Sequence, residues 1–247
     1  MRLTVVGCSG SYPGPDSPAS CYLVEHDGHS VVLDLGNGAF GPLQGVTDVL
    51  DVDAVVLSHL HADHCLDLTS YYVWRRYRPE GPAHAIPVIG PAGTADRMAR
   101  AYDLSPEPGM HGEFEFRDHV PVTEIGPFRI TTARVNHPVE ADATRVEAGG
   151  RSLVFSGDTG ESDALVELSR GVDVALFEAS LLERYDVPPG LHLTAKQAAE
   201  HAIRADAGRL VLTHLVPWTS RDETREEATD AYDGDLVLAT QGLVVEV

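Results

Sequence analysis

Residues 59–64 read His-Leu-His-Ala-Asp-His, three imidazoles and one carboxylate in one short turn. Imidazole and carboxylate are the donors that zinc, manganese and iron accept. His59 and His61 are two residues apart, so in an extended chain both side chains leave on the same side. Asp63 and His64 then open a helical run, and the positive end of the helix dipole favours a carboxylate at Asp63. Three more strand ends each carry a donor: His137 after FRITTARV, Asp158 after SLVFS in S-G-D-T-G, and His214 after RLVLT. A lone histidine at a strand end is ordinarily a surface residue. Here the set, delivered by four strand-to-loop turns, points to a metal centre.

The elements that must hold these donors follow from the apolar patterning. LTVVG (3–7), YLVEH (22–26), SVVLDL (30–35), DAVVLS (53–58) and PVIG (87–90) read as strands, as do FRITTARV (128–135), SLVFS (152–156), VDVALFEA (172–179) and RLVLTH (209–214). DLVLAT and LVVEV close the chain as strands. The run from His61 to Tyr77 reads as one helix starting at the donors. TADRMARAYDL (94–104), the Ala-rich LTAKQAAEHAIRADA (193–207) and SRDETREEATDAY (220–232) read as further helices, the last with Ser220 as N-cap. The polar, Gly/Pro-containing stretch after residue 104 carries no assigned element. GSYPGPDSP (10–18) reads as a loop, and no internal repeat divides the chain.

A chain of 247 residues with 43% hydrophobic content supports one large core, so a single domain over 1–247 is expected. Cys8, Cys21 and Cys65 fit neither a disulfide framework nor a zinc ribbon, so any metal must be held by His and carboxylates. The N-terminus MRLTVVGCSG lacks an apolar signal core, and no stretch stays apolar for about 18 residues. A cytoplasmic protein without a membrane span is therefore expected. The formal net charge is −20, and Lys196 is the only lysine. Nucleic-acid binding ordinarily needs a basic footprint to replace phosphate counterions, so nucleic acid is an unlikely partner.

The pattern His59-x-His61-x-Asp63-His64 with His137, Asp158 and His214 resembles the metallo-β-lactamase superfamily over essentially the whole chain. The resemblance implies an α/β fold, a four-layer αβ/βα sandwich with two divalent metal ions at one rim, zinc foremost and manganese or iron as alternatives. It implies His59, His61 and His137 on one metal, Asp63, His64 and His214 on the other, and Asp158 bridging. Asp34, in LDLGNG, matches an early Asp of the family and is expected behind the ligands, where histidines commonly need a carboxylate partner.

Two segments resemble the tRNase Z-like branch: FEAS (177–180) its H-E-A-T motif and HLT (192–194) its H-S-T motif. Phe177 replaces the first His and Leu193 the Ser, while Glu178 and His192 are kept. In that reading Asp63, Glu178 and His192 are catalytic. A hydroxide between two cations ~3.5–4 Å apart attacks phosphorus, and His192, held by Glu178, protonates the leaving oxygen. The tRNA-processing members carry a long arm between the positions of His137 and Asp158. Here that interval has room only for a strand pair.

Segments 7–11, 14–20, 57–68, 73–77, 155–160, 171–180 and 213–221 are similar to the actinobacterial, mycobacterial-type cyclic-AMP phosphodiesterases of this fold. That likeness implies a small phosphodiester substrate, hydrolysis of 3′,5′-cyclic nucleotides to 5′-monophosphates, and a homodimer. The alternatives are a tRNA 3′-processing endonuclease, a lactone, thioester or β-lactam hydrolase, or a metal-stabilised binding protein without turnover. Trp218, Thr219, Ser220 and Arg221 follow ligand His214 and are candidate substrate contacts. Tyr71, Tyr72, Trp74, Arg75, Arg76 and Arg78 are expected to form an aromatic-basic interface face. His26, His29, His84, His111, His119 and His201 are assigned to the solvated surface.

Overall fold

A computed structural model describes residues 1–185 and 188–247. Six strands, β1 (Arg2–Gly7), β2 (Cys21–His26), β3 (His29–Leu33), β4 (Ala54–Val56), β5 (Ile86–Gly90) and β6 (Phe114–Asp118), build the first sheet. The next seven, β7 (Val122–Ile125), β8 (Phe128–Arg134), β9 (Asp142–Ala148), β10 (Arg151–Phe155), β11 (Val174–Glu178), β12 (Arg209–Thr213) and β13 (Asp235–Leu238), build the second. The last, β14 (Val244–Glu246), returns to pair with β1. Helices α1 (Phe40–Leu43), α2 (Ala62–Cys65), α3 (Leu68–Tyr77) and α4 (Thr94–Ala101) precede the second sheet in the chain; α5 (Asp163–Leu168), α6 (Ala195–Ala205) and α7 (Arg221–Ala231) follow β10.

The strands are apolar on both faces, and this sets the layering. Leu3 and Val5 of β1, Tyr22 and Val24 of β2, Val31 and Leu33 of β3 meet Phe128, Ile130, Leu153, Phe155, Leu176 and Val211 between the sheets. Their alternate neighbours Leu23, Val32 and Val55 face outward under Leu68, Tyr71 and Met98 of the first helical layer. Ala175, Phe177, Leu210 and Leu212 face outward under Ala195, Ala198, Ala199 and Ala202 of α6. Period-two alternation with both faces covered gives the expected four-layer αβ/βα sandwich. Truncating Phe128 or Phe155 to alanine costs about 3–5 kcal/mol. No helix among the described residues is long and apolar enough to cross a membrane.

Four expectations need correction. The helix after His61 is two helices. Leu35 enters between them: its N–H donates to the His64 carbonyl at 2.8 Å and its carbonyl accepts from the Asp67 N–H at 3.1 Å, taking groups that a continuous helix would pair internally. The unassigned stretch after residue 104 holds edge strands β6 and β7, whose charged, partly exposed residues hide the apolar alternation. Half of the aromatic-basic face is core: Tyr71, Tyr72 and Arg75 are buried, while Trp74 and Arg78 are half-buried and Arg76 is exposed. The Arg75 guanidinium donates to the Tyr71 hydroxyl at 2.9 Å and to the His84 carbonyl. His201 is buried too: its Nδ1–H donates to the Gln197 carbonyl at 2.8 Å and its Nε2 accepts from the Ser162 N–H at 3.0 Å. His119 is half-buried, with Nε2 at 2.8 Å from the Leu57 carbonyl. The Ser220 cap stands as expected, its hydroxyl accepting from the Glu223 N–H.

Candidate metal centre and active site

Strand direction gathers the donors. β8, β10, β11 and β12 all run the same way in the second sheet, so His137, Asp158, Glu178 and His214 emerge together at one rim. β4 of the first sheet delivers His59, His61, Asp63 and His64 to the same rim. Two glycines allow the loops to close. A Cβ on Gly36 would lie 1.9 Å from the Asp63 carbonyl oxygen, and one on Gly10 would lie 2.4 Å from that of His214.

The donors fall into two sets that share Asp158: His59, His61, His137 and Asp158; and Asp63, His64, His214 and Asp158. The Asp158 Oδ2 lies 3.7 Å from His59 Nε2, while its Oδ1 lies 3.2 Å from His64 Nε2 and 3.4 Å from His214 Nε2. One carboxylate thus faces both sets.

Hydrogen bonds at the outer nitrogens assign the histidine tautomers. The Ser58 hydroxyl donates to Asp34 Oδ2 at 2.8 Å, so it accepts from His59 Nδ1–H at 3.0 Å. His64 Nδ1–H donates to Asp34 at 2.6 Å, and His137 Nδ1–H to the Leu191 carbonyl at 2.9 Å. His214 Nδ1–H donates to the Ser180 hydroxyl at 2.8 Å. All four Nε2 lone pairs therefore point inward. His61 differs: its Nδ1 faces His59 Nε2 at 3.0 Å and His137 Nε2 at 3.3 Å.

This donor set fits divalent cations. The inward lone pairs of His64 Nε2 and His214 Nε2 lie 3.2 Å apart with no proton between them. Asp34, Asp63 and Asp158 are buried, and none of them forms an ion pair with Arg or Lys among the described residues. Asp158 Oδ1 also lacks a hydrogen-bond partner among the described residues. Buried carboxylates without a compensating cation are strongly unfavourable. Burial pushes His59, His61 and His137 below the ordinary imidazole range, which suits neutral ligands.

A second constellation adjoins the first. Glu178 ends β11 fully buried. Its Oε1 accepts from His192 Nδ1–H at 2.9 Å and from the Thr159 N–H at 2.8 Å; its Oε2 accepts from the Ser180 hydroxyl at 2.6 Å. Burial lowers the His192 pKa, but the Glu178 carboxylate more than reverses this and lifts it to about 9. His192 can thus hold a proton at neutral pH and present it from Nε2.

The candidate substrate contacts are dispersed. Trp218 is 64% exposed and its ring lies 5.4 Å from that of Tyr12, also exposed, on the 10–18 loop. Thr219 is buried, and its hydroxyl has no partner among the described residues. Ser220 is taken up as the α7 cap, and the Arg221 guanidinium donates to the Ala239 carbonyl at 2.7 Å. Sequence reasoning missed Ser58, Ser180 and Tyr12. Ser58 and Ser180 adjoin the motifs in S-H-L-H and F-E-A-S, and that adjacency was the available signal.

A family model for the beta-lactamase superfamily domain matches residues 29–215. The chain belongs to the metallo-β-lactamase superfamily. As a member of this superfamily it is a metallo-hydrolase whose His/Asp clusters can bind metal ions. An uncharacterised protein of Mycobacterium leprae is 44% identical, with 100% of this chain and 89% of that protein covered. The probable metallo-hydrolase YhfI of Bacillus subtilis is 28% identical, with 100% of both covered. The crystal structure of YhfI, a metallo-β-lactamase fold protein, aligns at a TM-score of 0.88 and 27% identity, covering 100% of this chain and 99% of that one. Ribonuclease Z of Mycobacterium bovis is 28% identical, with 88% of this chain and 86% of that protein covered.

Proposed function

We propose that this superfamily member hydrolyses small phosphodiesters, opening 3′,5′-cyclic nucleotides to 5′-monophosphates, with cyclic AMP the first candidate. It would act in the cytoplasm, as a homodimer, with two divalent cations, zinc foremost. His59, His61 and His137 would hold one cation, Asp63, His64 and His214 the other, and Asp158 both. Bound there, the cations supply Lewis acidity toward the phosphoryl oxygens and a nucleophilic water at neutral pH.

The observation that carries the reading is the Glu178–His192 pair, 2.9 Å apart, beside the donor sets. Thioester hydrolysis expels a thiolate that leaves without a proton; a ribose alkoxide needs one. In the proposed reaction the water oxygen bonds to phosphorus and gives up one proton to solvent, the P–O3′ bond breaks, and O3′ takes the proton from His192 Nε2, which solvent then replaces. A cavity of about 440 Å³ adjoins His192, lined by Asn136, Glu161, Glu183, Tyr185 and Gln197 among others. Its size suits a nucleoside, and its two carboxylates oppose a polyanion. Between His137 and Asp158 the chain holds only the β9–β10 hairpin, turned at Gly149-Gly150, which leaves no arm to grip tRNA. The exposed Tyr12–Trp218 pair offers a surface on which a base can stack.

The likeness to ribonuclease Z favours a second reading, tRNA 3′-processing. Zinc- or manganese-loaded protein should be given cyclic AMP, bis(p-nitrophenyl) phosphate and precursor tRNA, beside an Asp63→Ala control. AMP formation abolished by the substitution is the expected result. Cleavage of precursor tRNA with cyclic AMP untouched selects the second reading, and inertness toward all three overturns phosphodiester chemistry.

A further inference from the structure

We propose that Ser180 is a positioning residue whose hydroxyl locks the metal ligand His214 and the proton donor His192 into one hydrogen-bonded unit through Glu178. The direction of each bond is determined by chemistry. A hydroxyl has a single hydrogen. The Ser180 hydroxyl lies 2.6 Å from Glu178 Oε2 and 3.3 Å from the His214 carbonyl oxygen, so the carboxylate is the better acceptor. Its oxygen is then left to accept from His214 Nδ1–H at 2.8 Å. A second contact agrees with that tautomer: the Ser11 N–H donates to His214 Nε2 at 3.2 Å, which requires a lone pair there. The same lone pair is the one a cation would take.

The other Glu178 oxygen is fixed from the opposite side by the Thr159 N–H and holds His192 Nδ1. The chain His214–Ser180–Glu178–His192 thus runs from ligand to proton donor. Glu178, Ser180 and His214 are buried, so water cannot replace a lost link cheaply. Without the hydroxyl, His214 Nδ1 loses its partner and Glu178 Oε2 keeps only the long contact from the Ser180 N–H at 3.4 Å. His214 is then free to turn or to change tautomer, and Glu178 can rotate away from His192.

The test compares Ser180→Ala, Ser180→Cys and Ser180→Thr in the full chain. The first readout is zinc retention against a competing chelator and is independent of any substrate. Ser180→Ala is expected to weaken retention about 10–100-fold, the usual cost of losing a partner behind a ligand. The second readout rests on the proposed phosphodiesterase activity. It compares kcat, at saturating zinc, for cyclic AMP and for bis(p-nitrophenyl) phosphate, whose leaving group needs no proton. Cyclic AMP turnover is expected to fall at least about tenfold further than turnover of the model diester. Ser180→Thr, which keeps a hydroxyl, should restore both. Ser180→Cys keeps the volume with a weaker donor and should fold and reproduce both losses, which covers the case of an unfolded alanine variant. Parent-like zinc retention in Ser180→Ala and Ser180→Cys, or an equal fall on both substrates, overturns the proposal. If the parent itself leaves cyclic AMP intact, the substrate reading fails and the zinc readout still decides the role of Ser180.

Discussion

The donor set around His61 opens to solvent, whereas every member of the set around His214 is buried. The difference lies as much behind the ligands as in front of them. His64 is backed by the buried Asp34 carboxylate and His214 by the Ser180–Glu178 pair. His137 is backed only by a backbone carbonyl on the loop after β11, and the outer nitrogen of His61 has no partner among the described residues. A ligand anchored by a charged partner in a dry site holds its geometry and basicity, while an unanchored exposed one must order its own ring on binding. Within one rim, then, the fold offers one dry donor set and one that opens to solvent at His61 and His137.

The largest effect that tests this contrast comes from the one residue common to both sets. Asp158→Ala should lower metal content at both positions, measured by elemental analysis, and reduce kcat by about 10³-fold or more. Retention of a full metal complement would break the picture of a shared carboxylate. Next, His214→Ala should cost more zinc affinity than His61→Ala, by about tenfold or more, because it also strands Ser180. Graded chelation of the parent should remove zinc in two phases, and a single phase would mean that the two positions are not distinct in affinity.

The pH dependence sharpens the contrast at its boundary, where His192 meets both sets. With its pKa lifted to about 9, His192 stays protonated at neutral pH, so turnover of a poor leaving group should fall as pH rises through about 9. Glu178→Gln removes the anion that raises it and should move that fall to lower pH by roughly 1–3 units, read from kcat against pH. The stability contribution of the pair has the same sign. It is fully present below the ordinary histidine value of 6.5 and is lost as pH rises through about 9. The smallest effect belongs to the exposed rim. Trp218→Ala should raise KM for a cyclic nucleotide by the equivalent of about 1–3 kcal/mol of stacking while leaving zinc content unchanged. An unaltered KM would remove Trp218 from the substrate site.

Much of this was legible because donors and patterning are local. His59, His61, Asp63 and His64 announce themselves in six residues, and the apolar runs before His137, Asp158 and His214 mark strands whatever their partners. The nearly unbroken apolar runs of β1 to β3 already imply cover on both faces. Edge strands β6 and β7 escaped because both are short and exposed, β6 at Glu115, Arg117 and Asp118 and β7 at Val122 and Glu124, and the break between α2 and α3 escaped because its cause, Leu35, lies far upstream. His201 passed as a surface residue because its partner Ser162 belongs to another helix start.

The sequence by itself therefore determined the donor types, the order in which strands deliver them and a net charge of −20, since each is a property of composition and short-range spacing. Only the tertiary structure decided which oxygen of Asp158 faces which histidines, which ring nitrogen each ligand points inward, and which donor set is dry. Those depend on contacts between residues tens to hundreds of positions apart, as between Ser11 and His214 or Asp34 and His64. Hydrogen-bond direction and burial exist only once such residues are packed together.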